Sequence, residues 1–191
     1  AEVVGICCRI KAEIVSTDKR RPTLNPNGLI YGAVENSTDL VPVLDPVNHR
    51  ASVLHMPVRD PATPSSKDDP LGTSPYWGDE PIWDSKTSTH NPMYDDQGRV
   101  WWTSRVGKAE NPDFCKRGSD HPSAKVFPLN TSTRHVSMLD PRSGKITLIR
   151  TCFQTHHLIF AEDANNTLWL SAGGPGSGAL GDHPIRRQSQ Q

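Results

Sequence analysis

Long helical periodicity is missing from this 191-residue chain. No stretch repeats apolar residues at the three-to-four spacing that a packed helix keeps over several turns. Nor is there an apolar run near the ~20 residues needed to span a bilayer. An excess of one charge is lacking too: 21 Lys and Arg balance 21 Asp and Glu. Neutrality argues against a nucleic-acid binder, because phosphate affinity needs a concentrated basic face. The four cysteines show no CxxC spacing, which argues against a thiolate zinc site. No GxSxG nucleophile elbow occurs, and Gly173-Gly174-Pro175-Gly176 lacks the Lys-Ser/Thr ending of a phosphate loop. The opening AEVVGICC is too short, and lacks the basic flank, for a signal peptide.

Turn chemistry is what the chain holds in quantity, with 17 Pro and 14 Gly. These residues punctuate an internal repeat. HNPMYDDQGRVWWTS (His90 to Ser104) returns as THHLIFAEDANNTLWLS (Thr155 to Ser171), and an earlier, weaker copy reads RPTLNPNGLIYGAV (Arg21 to Val34). Gly28 and Gly98 lie 70 residues apart, as do Tyr31 and Trp101; Trp101 and Trp169 lie 68 apart. Each copy has an Asp/Asn/Gly turn followed by an apolar run with an aromatic residue. A second unit follows the first two copies: LDPVNHRASVLHMP from Leu44 and LDPRSGKITLIRTC from Leu139. Asp-Pro starts a turn, and Ser143-Gly144 supplies a tight one before a β-branched run.

Two strands about one turn and then two more make one four-stranded antiparallel blade, so the expected fold is all-β: a partial β-propeller of about two blades plus the start of a third. A closed propeller has ~4–8 blades, and each blade buries its faces only against neighbours. The chain is therefore expected to be a piece of a longer protein whose missing blades complete the ring. The repeat exceeds the ~40–50 residues of common blades. The excess lies in irregular insertions at about 60–88 and 105–133. Residues 1–12 fit no blade, 13–180 form the partial propeller, and 181–191 read as a disordered tail.

Cys115 falls in the second insertion and Cys152 at the end of an outer strand. A disulfide between them would tie the insertion to its blade and imply an oxidising compartment; two buried free thiols are the other reading. In the first insertion Tyr76, Trp77 and Trp83 are too apolar for a plain solvated loop. They either pin that loop to the blade or close over a ligand.

Beyond these readings, YWGDEPIWDS, HNPMYDDQGRVWWTS, the CKRGSD segment, LDPRSGKITLI and TCFQTHHLIFAEDANNTLWLS resemble a group of uncharacterised secreted bacterial propeller proteins, over about residues 13–175. More distantly, DDQGRVWWT and EDANNTLWLS resemble the repeats of streptogramin (virginiamycin B) lyase and NHL-type propellers. The resemblance implies a propeller, an extracellular or periplasmic location and lyase chemistry. It covers only repeat-forming residues, so it carries over no catalytic position.

The strand starts yield a site by counting. Eight residues before Gly98 stands His90, and eight before Gly28 stands Arg20; His157 lies nine before Asn166, beside His156. A fold that repeats around an axis would point Arg20, His90 and His157 at one another. Because successive strand residues face opposite sides, only one of His156 and His157 is expected to face the channel. Basic and imidazole groups at one mouth suit an anionic ligand. Elimination beside a carboxylate needs a base for the α-proton, a cation opposite the developing charge and an acid for the leaving oxygen. We read His157 as base, His90 as acid or second base and Arg20 as carboxylate clamp. His156, Tyr76, Trp77 and Trp83 are read as ligand contacts. No metal set is assigned and the cofactor stays unknown. The other classes are a non-catalytic propeller binding a glycan or protein, and a metal-dependent lactonase-type hydrolase.

Overall fold

A computed structural model of the chain describes residues 12–68, 78–79, 83–171 and 183–185. The described residues form three antiparallel sheets. The first runs β1 (Ala12–Val15), β2 (Ile30–Val34), β3 (Leu40–Asp45), β4 (Arg50–His55). The second runs β5 (His90–Tyr94), β6 (Val100–Ser104), β7 (His135–Asp140), β8 (Lys145–Ile149). The third runs β9 (Leu158–Phe160), β10 (Leu168–Leu170), β11 (His183–Ile185). Strands follow chain order in every sheet. Among the described residues, helix is confined to α1 (Pro122–Val126) and two three-residue 3-10 turns, Ser66–Asp68 and Asp113–Cys115. The all-β expectation holds. β11 lies within 181–191, a polar stretch with no strand alternation, and its central proline suits the edge position it takes.

The counted repeat falls on β2, β6 and β10. Tyr31, Trp101 and Trp169 are each the second residue of their strand, and lie opposite Val15, Met93 and Ile159. The turn before each strand is set by the Asp/Asn and Gly/Asn positions. Gly98 donates its amide to the Asp95 carbonyl at 3.1 Å, as Asn166 does to Asp163 at 3.2 Å and Gly28 to Asn25 at 3.3 Å. Gly98 sits at φ +80° and Asn166 at φ 51°, the left-handed region that Gly and Asn tolerate best. Asp95 is fully buried, and its carboxylate accepts from the Gln97 and Arg99 amides, the Arg99 guanidinium and the Trp101 indole.

Strand alternation gives the second sheet two apolar faces. Tyr94, Val100, Trp102 and Leu139 pack on Tyr31, Ala33, Val41 and Val43 of the first sheet. Met93, Trp101, Val136 and Ile149 pack on Leu158, Phe160, Leu168 and Leu170 of the third. The ring contacts repeat with the sequence. Tyr31 meets Tyr94 edge-on at 6.2 Å, and Trp101 meets Phe160 edge-on at 5.7 Å. β5 lies beside both β1 and β9, so the first strands of the three sheets gather together.

Both insertions are tied down. The Asp39 carboxylate accepts from the Ser85 hydroxyl, the Lys86 amide and both the amide and hydroxyl of Thr87, holding the end of the first insertion on the first sheet. Trp83 is half-buried there, whereas Tyr76 and Trp77 lie outside the described residues. Cys115 and Cys152 are disulfide-bonded, with Cα atoms 5.1 Å apart. The bond closes a loop of 37 residues. Chain-entropy bookkeeping for that length predicts that the Cys115→Ala/Cys152→Ala variant loses about 4 kcal/mol of stability. Urea unfolding of both proteins checks it, and a midpoint unchanged at equal slope would contradict it.

His135 gives a pH-dependent contribution. It is fully buried, its Nδ1 accepts from the Thr151 amide at 3.2 Å, and its Nε2 faces the Lys108 carbonyl at 3.4 Å. Burial pushes its pKa down to about 4; the Lys108 carbonyl opposes this, and the charges of Arg150 and Arg59 add to it. The unfolded chain, with a histidine pKa near 6.5, takes up the proton first as pH falls. The contribution is therefore present above pH ~6.5 and is lost on the way down to ~4. Between pH 7 and 4.5 the wild type should lose about 2 kcal/mol more than His135→Gln does. Denaturant titrations of both at the two pH values measure the difference, and equal losses would contradict the assignment.

Candidate functional site

The gathering of β1, β5 and β9 is also where the histidines meet. His90 opens β5 and is wholly buried. The pairing of β5 with β6 slips between His90 and Met93. The cause is local: Asn91 adopts φ 51° and Pro92 brings no amide to the ladder. Asn91 holds that shape with two long-range bonds. Its amide donates to a Glu13 carboxylate oxygen, and its side-chain oxygen accepts from the Leu158 amide at 2.6 Å. The bulge thus sits among the first strands of all three sheets and turns the His90 ring toward the segment before β9.

His156 and His157 belong to that segment. Their backbone is clamped against Ser171 at the end of β10. The His156 amide donates to the Ser171 carbonyl at 2.8 Å, the Ser171 amide to the His157 carbonyl at 2.9 Å, and the His157 amide to the Ser171 hydroxyl at 2.9 Å. Ring centroids lie 4.6 Å apart for His90 and His156, 4.9 Å for His90 and His157, and 4.2 Å for His156 and His157. All three imidazoles therefore converge. Strand alternation would have sent one of His156 and His157 away, but both precede β9, where the chain is not yet extended in a ladder. His90 is buried, His156 half-buried and His157 exposed.

Two carboxylates and a guanidinium surround His90. Its Nδ1 lies 3.4 Å from a Glu13 oxygen and 3.5 Å from a Glu35 oxygen. Arg134, itself buried, donates to Glu35 at 2.7 Å and to the Ser88 carbonyl at 2.7 Å. Burial pushes the His90 pKa down to about 4; Glu13 opposes the shift, and Arg134, His156 and His157 strengthen it. His90 is therefore a neutral imidazole at physiological pH.

An open cleft of about 410 Å³ meets the cluster at His157, the one of the three histidines that lines it, with Glu13, Asn91, Trp169 and Ser171 among the other lining residues. Its wall combines an imidazole, a carboxylate, an amide and an indole, which offers proton transfer and an apolar contact face at one place.

Arg20 is placed differently from the histidines. Its guanidinium grips both oxygens of Asp18, donates to the Ala161 carbonyl at 2.8 Å and lies 5.2 Å from the Phe160 ring centroid. Its charge is matched by Asp18 and its donors serve the junction of the first and third sheets. The counted equivalence found the convergence of His90 with His157. It did not find Glu13, Glu35 or Arg134, each of which reaches His90 from a distant point in the chain, nor Asn91 next to it. One signal was present: a proline inside a strand marks a bulge or an edge, and Pro92 stands two residues after His90.

No protein-family model matches the chain, and no curated protein or solved structure matches it either.

Proposed function

We propose that the three sheets are consecutive blades of a β-propeller in an exported protein. On this reading, the cleft that meets the cluster of His90, His156 and His157 binds a small anionic or carbohydrate-like substrate and breaks a carbon–oxygen bond in it by elimination. The observation that carries the reading is the convergence of three imidazoles from two sheets at the edge of an open cleft. His157, exposed on the cleft wall, is the group placed to take the α-proton. His90, wholly buried, acts as a positioning residue for its neighbours. Trp169 offers the flat face on which a sugar or acyl chain packs.

The propeller assignment is supported by the repetition of the sheet contacts and by the outer face of the first sheet. Ile14, Leu40, Leu44 and Val53 are exposed there, at 76%, 40%, 44% and 62%. Leu44 pairs with Ala51 and Pro42 with Val53, at the register positions where the second sheet pairs Leu139 with Ile146 and Ser137 with Leu148. In the second sheet that face is covered by the first, so a further blade suits the first sheet's open face. Export is supported by the Cys115–Cys152 disulfide.

The reaction is tested by supplying small compounds with an oxygen leaving group β to a carboxylate. Elimination yields a carbon–carbon double bond conjugated with the carboxylate, so ultraviolet absorbance should rise with turnover. Products that have gained water, with no unsaturation, would replace the lyase with a hydrolase. Ligands that bind the cleft unchanged would make the site a binding module.

A further inference from the structure

We infer that His90, His156 and His157 together hold one divalent transition-metal ion of the zinc class, with a further coordination position open toward the cleft.

Each of the three imidazoles offers a ligand nitrogen, and these nitrogens lie within 4.8 Å of one another. In a tetrahedral zinc site with bonds of ~2.0–2.1 Å, ligand nitrogens stand roughly 3.4 Å apart. The difference is closed by turning the half-buried His156 and the exposed His157 about their side-chain bonds, while His90 stays fixed by the bulge. Three imidazoles and one open position form the ligand set of a reactive zinc centre rather than a purely structural one.

His90 supplies the second, independent observation. Buried polar atoms are normally satisfied, yet neither ring nitrogen of this wholly buried imidazole has a hydrogen-bond partner among the described residues. Its Nδ1 faces Glu13 and Glu35 at 3.4 and 3.5 Å. A carboxylate bonded to one nitrogen of a metal-ligating histidine fixes the tautomer and frees the other nitrogen's lone pair, and Glu13 and Glu35 are the carboxylates near enough to Nδ1 to take that role. Glu35 is itself held by Arg134 at 2.7 Å, and Glu13 by the Asn91 amide. The carboxylates beside His90 are thus themselves held in place.

This inference rests on the reading of the cleft as the reaction site and supplies what that reading lacks. Elimination needs a positive charge opposite the developing enolate, and Arg20 is committed to Asp18. An ion on the histidines provides that charge at the cleft edge. An ion held there would take His157 as a ligand in place of its role as base, and the α-proton would then pass to Glu13, on the same wall.

The test is zinc binding by the full chain, stripped with a chelator and carrying Cys7→Ser and Cys8→Ser so that thiolates do not compete. Titration of Zn²⁺ against a chromophoric chelator should give one ion per chain. Co²⁺ in its place should show the intense visible bands of a four-coordinate site. His157→Ala, at an exposed position where folding is kept, should weaken binding by about 100-fold or more. Glu13→Gln and Glu35→Gln should weaken it 10–100-fold, and His55→Ala, remote on β4, should leave it unchanged. If no stoichiometric ion binds, or if His156→Ala and His157→Ala each bind within threefold of the parent, the inference is wrong. Zinc bound by the histidines in a protein that performs no elimination would leave the metal site standing and overturn only the reaction. Elimination that persists through chelation, with no ion bound, would overturn the metal site and leave the reaction.

Discussion

Replacing His157 by alanine is expected to lower turnover of the proposed elimination by 10²–10⁴-fold while leaving the melting temperature within a degree or two of the parent. The size follows from what a positioned proton acceptor or its equivalent contributes to a rate. The small thermal effect follows from place. His157 is exposed, and its hydrogen bonds to Ser171 run through backbone atoms, which the substitution retains. The neighbouring rings of His90 and His156 still stack on each other at 4.6 Å without it. The substitution therefore separates chemistry from folding, which the same change at the buried His90 would not. Initial rates measured with saturating substrate, alongside thermal melts, check both halves. A variant within threefold of parental turnover would remove His157 from the reacting centre.

The largest loss of stability is expected from Trp102→Ala, at about 3–5 kcal/mol. Trp102 is 0% exposed at the interface of the first two sheets, where it meets Tyr31 edge-on at 6.0 Å. Its indole nitrogen donates to the Gly32 carbonyl at 3.0 Å, across that interface. Alanine leaves a cavity that the strands on both sides, held in their ladders, do not close. It also strips the Gly32 carbonyl of its indole partner, which adds a desolvation term. Trp102→Phe should recover most of the packing and lose only the hydrogen bond, about 1–2 kcal/mol. Trp101→Ala, with a half-buried indole on the opposite face, should lose less than Trp102→Ala. Urea unfolding of the three variants ranks them, and a Trp101 loss equal to or above that of Trp102 would contradict the assigned roles of the two faces.

By itself the sequence determined the repeated strands and turns of this protein, though not β11, which lies in the stretch read as a tail. Asp95 with Gly98, Asp163 with Asn166, and Asn25 with Gly28 define turns through local chemistry; at Gly98 and Asn166 the reason is that few residues tolerate the left-handed backbone. The spacing of Tyr31, Trp101 and Trp169 located three equivalent strands, because a fold that stacks similar sheets repeats its buried positions. The pairing of Cys115 with Cys152 was one of two readings the sequence left open, and the fold, which brings their Cα atoms to 5.1 Å, decided it. The make-up of the site was decided by tertiary structure. Glu13 and Glu35 approach His90 across 77 and 55 residues of chain, and Arg134 closes on Glu35 across 99. No local period encodes such meetings; sheet stacking and the Asn91 bulge make them. The same holds for Arg20, whose position in the repeat matches His90 while its partner, Asp18, stands two residues away and takes its charge. Equivalent backbone places in a repeat are set by strand geometry, but which groups a side chain meets there depends on the neighbouring sheet, and that neighbour differs from one repeat to the next.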